Sequence, residues 1–142
     1  MRPASIIMFD RLFLASLALS AVGVVLGWDT MTAQLASEPG VAELGLGSGL
    51  IAGMVVAGFA ISLLLWFLIA HKASNVAKWI LIVLAALGLI SVPAMLAGPW
   101  DLTAILGIVS YLLEIAALVF LFRDDAKAWF RGEGNADPAT FD

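Results

Sequence analysis

The chain reads as an all-α membrane protein, an up-down-up-down bundle of four transmembrane helices with both termini in the cytoplasm. Three observations predict this. Long apolar stretches occupy about 12–28, 48–70, 76–97 and 102–122. Composition agrees: 63% of the 142 residues are hydrophobic and 13% charged, against about half and a quarter in soluble domains. Third, all seven Lys and Arg residues fall on one side of the four stretches. Arg2 and Arg11 precede the first, Lys72 and Lys78 flank the hinge between the second and third, and Arg123, Lys127 and Arg131 follow the fourth. The other two connections hold Asp29, Glu38, Glu43 and Asp101 and no base. Such asymmetry places the basic side in the cytoplasm.

The elements follow in order. Pro3 suits a helix start, so the first helix is expected to begin near Ala4 and rise through the interface. Its basic lead and apolar run resemble a secretory signal, but Met31-Thr32-Ala33 and Gln34-Leu35-Ala36 put large residues where cleavage wants small ones. A retained span is expected. Beyond Trp28 nothing breaks the helix until Glu38-Pro39-Gly40. The glycine-rich 38–47 segment is expected to be irregular. His71–Asn75 is a tight hairpin, and 97–101 is another, with Asp101 as N-cap of span four. At ~1.5 Å per residue, each of the last three spans covers ~31 Å, close to the hydrocarbon thickness.

The fourth helix is expected to continue to about Arg131. Arg123, Lys127 and Arg131 then recur every four residues along one face, which suits acidic lipid headgroups. Residues 1–132 form the membrane domain, and 133–142 is a polar tail expected to be disordered. Trp28 and Trp100 fit the outer interface, and Trp66, Trp79 and Trp129 the inner one, as an aromatic belt. Arg11 is expected to snorkel to phosphate rather than pair with Asp10.

Helices in lipid associate through close approach and polar contacts. Small residues lie in rows along span one (Ser16, Ser20, Gly23, Gly27), span two (Gly45, Gly49, Gly53, Ala57, then Gly58 and Ser62) and span four (Thr103, Gly107, Ser110, leading to Glu114). They predict packing inside the bundle, with a Gly-xxx-Gly homodimer seam on span two as the competing reading.

Glu114 is the one ionisable residue inside a predicted span. Nine residues separate it from Arg123, which puts it ~13 Å inside the basic boundary. The same count from Arg11 reaches Ser20, from His71 reaches Ser62, and from Lys78 reaches Leu87, beside Gly88. A polar layer of Ser20, Ser62 and Glu114 beside Gly88 is therefore expected, with Ser110 and Tyr111 on the face of Glu114. A buried carboxyl of this kind either fixes helix register as a neutral donor, or exchanges protons or binds a cationic or hydroxylated ligand. His71, at a helix end beside Lys72, reads as an ordinary interfacial group.

Several function classes find no support. There is no cysteine, so no disulfide and no thiol chemistry. One histidine leaves no pair for haem, and no metal-ligand spacing appears. No catalytic triad pattern, HExxH or phosphate loop is present. No basic surface suits nucleic acid. No cofactor is expected.

The run RLFLASLALS at 11–20 and YLLEIAALVFLFRDDAKAWF at 111–130 resemble small four-span bacterial inner-membrane proteins of unknown function. The resemblance implies a bacterial inner-membrane location and no activity. Small multidrug-resistance transporters carry their membrane glutamate in the first span, whereas here it is in the fourth. The first expectation is thus a non-enzymatic membrane protein, an accessory or assembly partner of a larger complex or a self-associating bundle. The alternative is a small proton-coupled transporter or channel centred on Glu114.

Overall fold

The computed structural model describes residues 1–45 and 47–132; the tail expected at 133–142 lies outside the described residues. Every regular element among them is helical. Helices α1 (Ala4–Leu26) and α2 (Trp28–Ser37) are followed by α3 (Pro39–Glu43) and α4 (Ser48–Lys72). Then come α5 (Asn75–Gly88), a 3₁₀ turn at Leu89–Ser91, α6 (Val92–Ala97), α7 (Leu102–Phe120) and α8 (Asp124–Phe130). Four helical segments are long and apolar enough to cross a membrane: Ala4–Leu26, Ser48–Lys72, Asn75–Ala97 and Leu102–Phe120. They form a four-helix bundle in which α1 neighbours both α4 and α7, and α5 neighbours α4 and α7.

Local chemistry sets the ends of these helices. Pro3 stands extended before α1, and its carbonyl accepts from the Ile6 and Ile7 N–H groups, each at 3.1 Å. Gly27 bends the chain without breaking its ladder, since Gly27 N–H donates to Gly23 and Met31 N–H to Gly27. Glu38 turns extended, as the residue before a proline is biased to do. The segment expected to be irregular contains the short α3, and the chain then turns through Gly45 with φ +59°. Gly45 therefore lies outside the second span and cannot extend its packing row, which corrects the sequence expectation. A glycine fits because that left-handed turn disfavours a Cβ.

The α4–α5 hairpin closes through Ala73 at φ 50° and a bond from Ser74 N–H to the Leu68 carbonyl at 3.0 Å. Ser74 then caps α5 by accepting from Ala77 N–H. The 3₁₀ turn precedes Pro93, which has no N–H to return to Leu89, so span three loosens there. Asp101 caps α7, accepting from Ala104 N–H at 2.8 Å.

Helix α7 does not run on to Arg131. It tightens at Leu121–Arg123 through three-residue bonds, and Arg123 is extended before α8 starts. The unbroken ladder of Arg123, Lys127 and Arg131 is thus corrected. Tertiary contacts accompany the break. From α8, Asp125 takes the Ser5 hydroxyl at 2.6 Å and the Ser5 N–H at 3.0 Å, and Trp129 Nε1 donates to the Ile69 carbonyl at 3.4 Å. So α8 ties the start of α1 to the end of α4 across one end of the bundle.

Phe9, Phe13, Ile69, Leu81 and Leu121 are buried in one cluster with Ala126 of α8. All lie in the half of the bundle nearest that end. In the other half α1 and α7 stay packed, while residues 52–64 of α4 contribute no buried side chain. The buried core is therefore gathered at the end carrying all seven bases, and toward the end carrying Asp29, Glu38, Glu43 and Asp101 helix α4 buries only Ile51.

Candidate functional site

The α1–α7 seam is built from the small residues of both helices. A methyl group on Gly27 would meet Thr103 Cγ2 at 2.7 Å, and one on Gly23 would meet Leu106 Cβ at 3.8 Å. Further along, the buried Ser110 hydroxyl donates to the Ser16 carbonyl at 2.8 Å and accepts from the Ser20 hydroxyl at 3.0 Å. Each hydroxyl has a partner, so the pair joins two apolar helices without stranding a polar atom. Gly107 has the Cε of Met95 2.8 Å from its Cβ position, which brings α6 against α7.

Tyr111 leaves α7 on a different side. Its hydroxyl donates to the Ala85 carbonyl at 2.7 Å, and its ring lies 3.2 Å from the Cβ position of Gly88. Ser110 thus serves α1 and Tyr111 serves α5, with half-buried Glu114 on the arc between them. Neither Glu114 nor Ser62 has a side-chain hydrogen bond among the described residues.

The expected single layer divides. Facing pairs Gly27–Thr103, Gly23–Leu106, Ser20–Ser110 and Ser5–Asp125 set an antiparallel register. In that register Glu114 falls level with Ser16, one turn nearer the basic end than Ser20. The count inward treated Arg11 and Arg123 as equally deep. Yet α1 already starts at Ala4, and α7 stops at Phe120, short of Arg123. Ser110, not Glu114, is the group that Ser20 reaches.

From Ser20 a cleft of about 340 Å³ runs between α1–α2 and α7 toward the acidic end. Gly23, Gly27 and Gly107 line its floor, and Thr30, Gln34 and Asp101 stand near its mouth. Its polar groups are hydroxyls, an amide and one carboxylate, a set suited to water or a small hydroxylated solute.

The glycines of α4 behave differently from those of α1. Nothing lies within 4 Å of a Cβ placed on Gly49 or Gly53. Helical geometry puts Gly49, Gly53, Ala57 and Ala60 on one face, and all four are exposed. Ile51, Leu65 and Ile69 on the opposite face are buried. The small-residue row of span two therefore points away from its own bundle, and packing within the bundle does not explain it.

At the basic end, Lys127 pairs with Asp124 at 3.0 Å, and the Arg123 guanidinium lies 5.7 Å from the Phe120 ring centre. Sequence spacing gave no hint of three other residues there. Asp10 accepts from Trp66 Nε1 at 2.6 Å and pairs with Arg2 at 3.5 Å. Asp125 caps the first turn of α1 across 120 residues, and the two Ser5 hydrogen bonds hold its carboxyl below the ordinary aspartate range. Lys78 is buried among aromatic rings. Trp66 and Trp129 therefore do more than line an interface, since each commits its N–H inside the protein. An Asp and a Trp 56 residues apart carry no joint pattern in sequence.

Together the fold and these sites define an all-α chain with four membrane-length helices, tightly closed at one end. Comparison with protein-family models, curated proteins and solved structures gives no match to this chain.

Proposed function

We propose that the chain is a non-enzymatic, multi-pass protein of the bacterial inner membrane that acts by helix association. Both termini lie in the cytoplasm in this reading, since the bases gather at one end and that asymmetry favours the inner side. The face of α4 bearing Gly49, Gly53, Ala57 and Ala60 receives another membrane helix, from a second copy or from a larger complex. The observation that carries this reading is the outward row itself. Glycine costs an exposed helix about 1 kcal/mol per residue relative to alanine, and lipid returns nothing for it. Close approach of a second backbone does.

Replacing Gly53 by Ile tests the reading. No neighbouring element lies within 4 Å of a Cβ at Gly53, so helix content and thermal stability in detergent should hold. Association with the partner should fall by about tenfold or more, ~1.4 kcal/mol. Unchanged oligomer size and an unchanged co-purifying set would count against the proposal.

A second reading has its own support. Glu114 is half-buried and without a hydrogen-bond partner among the described residues, one turn beyond the hydroxyl pair that ends the cleft. Proton-coupled passage of a small solute would use that carboxyl. Glu114→Gln should then abolish proton flux into vesicles while expression and oligomer size hold. If Gln instead preserves every measured property, Glu114 carries no proton across the membrane.

A further inference from the structure

We propose that Lys78, Lys127, Arg131 and Asn75 form a binding site for the phosphate of an anionic phospholipid, with the acyl chains lying along α5. The site begins with an anomaly. Lys78 is only 7% exposed. Its ammonium faces the rings of Phe130, Phe122 and Trp79 at 4.8, 5.0 and 5.6 Å. No carboxylate among the described residues pairs with it. Aromatic faces attract a cation, but a buried charge also calls for a counter-ion.

The surroundings add positive charge. Lys78 stands in the first turn of α5, where the helix dipole disfavours a cation. A cavity of about 220 Å³ opens beside it, lined by Asn75, Lys78, Lys127, Phe130 and Arg131. Among the described residues its lining holds three basic side chains and one amide donor, with no acid. Lys127 does pair with Asp124, but that carboxylate is fully exposed on the same helix and does not line the cavity. Such a set complements a phosphate through charge-assisted hydrogen bonds.

A second feature chooses lipid over a soluble phosphate. An entirely apolar groove of about 410 Å³ runs along α5 through Val76, Trp79, Ile80, Val83 and Leu84. Trp79 borders both places: its side chain lines the groove, and its ring faces the Lys78 ammonium. A headgroup in the cavity would leave its chains beside that groove, on the membrane-spanning part of the same helix.

The test uses the full chain in mild detergent, offered an equal mixture of phosphatidylglycerol and phosphatidylcholine, with retained lipid counted by native mass spectrometry. The natural chain should keep one phosphatidylglycerol in preference to phosphatidylcholine. Lys78→Met keeps the stem against the rings and removes the charge, and should weaken retention by about tenfold or more. Lys78→Arg should restore it, which separates charge from folding. Lys72→Met, at the same boundary but outside the cavity, should change nothing. Displacement of the lipid by inorganic phosphate at millimolar levels would uphold the phosphate site and assign its occupant to the solvent. Retention by Lys78→Met equal to the natural chain, or equal retention of the two lipids, would overturn the proposal.

Discussion

Replacing Gly27 by leucine is expected to force α1 and α7 apart at the acidic end. Even a methyl group there would meet Thr103 Cγ2 at 2.7 Å and the Gly23 carbonyl oxygen at 3.1 Å. Thr103 is β-branched and turns poorly out of the way, and a backbone oxygen cannot turn at all. Overpacking of this kind costs about 1–3 kcal/mol, occasionally more. At Gly53 a Cβ has no such neighbour within 4 Å. Thermal unfolding in detergent should therefore drop clearly for Gly27→Leu and hold for Gly53→Leu. Equal losses at both positions would mean that the two glycine rows do the same work. Because Gly27 also lines the cleft, the first variant should change the shape of that space as well.

Docking of α8 is expected to depend on pH through Asp125. Its carboxylate accepts two hydrogen bonds from Ser5, and these place its pKa below the ordinary aspartate value. The folded form binds the proton less readily than the free form does. The contribution to stability is thus complete above the ordinary aspartate value, near about 4, and fades as pH falls through the lower folded value. Asp125 is itself exposed, so solvent screens part of the gain. Asp125→Ala should raise opening of α8 by about tenfold at neutral pH and remove the acid-dependent step. Hydrogen exchange at the Ser5 amide reads this directly, and the fluorescence of Trp129 offers a second report. An acid transition that survives Asp125→Ala would assign the effect to another carboxyl.

The fold was largely legible because lipid leaves a strong record in sequence. Each span shows as an apolar run of the right length, and Pro3, Asp101 and the 71–75 hairpin mark ends by local chemistry alone. The end of α7 was not legible. Residues 121–131 hold no Gly or Pro to end a helix, and the break coincides with Asp125 and Trp129 reaching α1 and α4. Depth along the spans failed for a related reason. Basic residues mark a boundary only to within a turn, because long side chains snorkel, and one turn separates Glu114 from the Ser20–Ser110 pair.

The glycine rows show a different limit. Spacing in α1 and α4 is equally regular, so periodicity assigns both to close packing and cannot name the partner. Only the register of α1 against α7 shows that Gly23 and Gly27 are used inside the chain. Lys78 is a similar case. Its place beside a hairpin reads as an interfacial base, yet three aromatic side chains from α5, α8 and the turn after α7 converge on it.

Association through the outward face of α4 is best tested by photo-crosslinking in native membranes. A photoreactive residue is placed at Val56, an exposed position bordering the small-residue row, and in a parallel sample at Val83 on the exposed side of α5. Residue 56 should yield a discrete protein adduct, either twice the chain mass or the chain plus one partner, while residue 83 yields lipid adducts alone. Lipid adducts alone at both positions, or protein adducts of equal yield at both, would contradict the account.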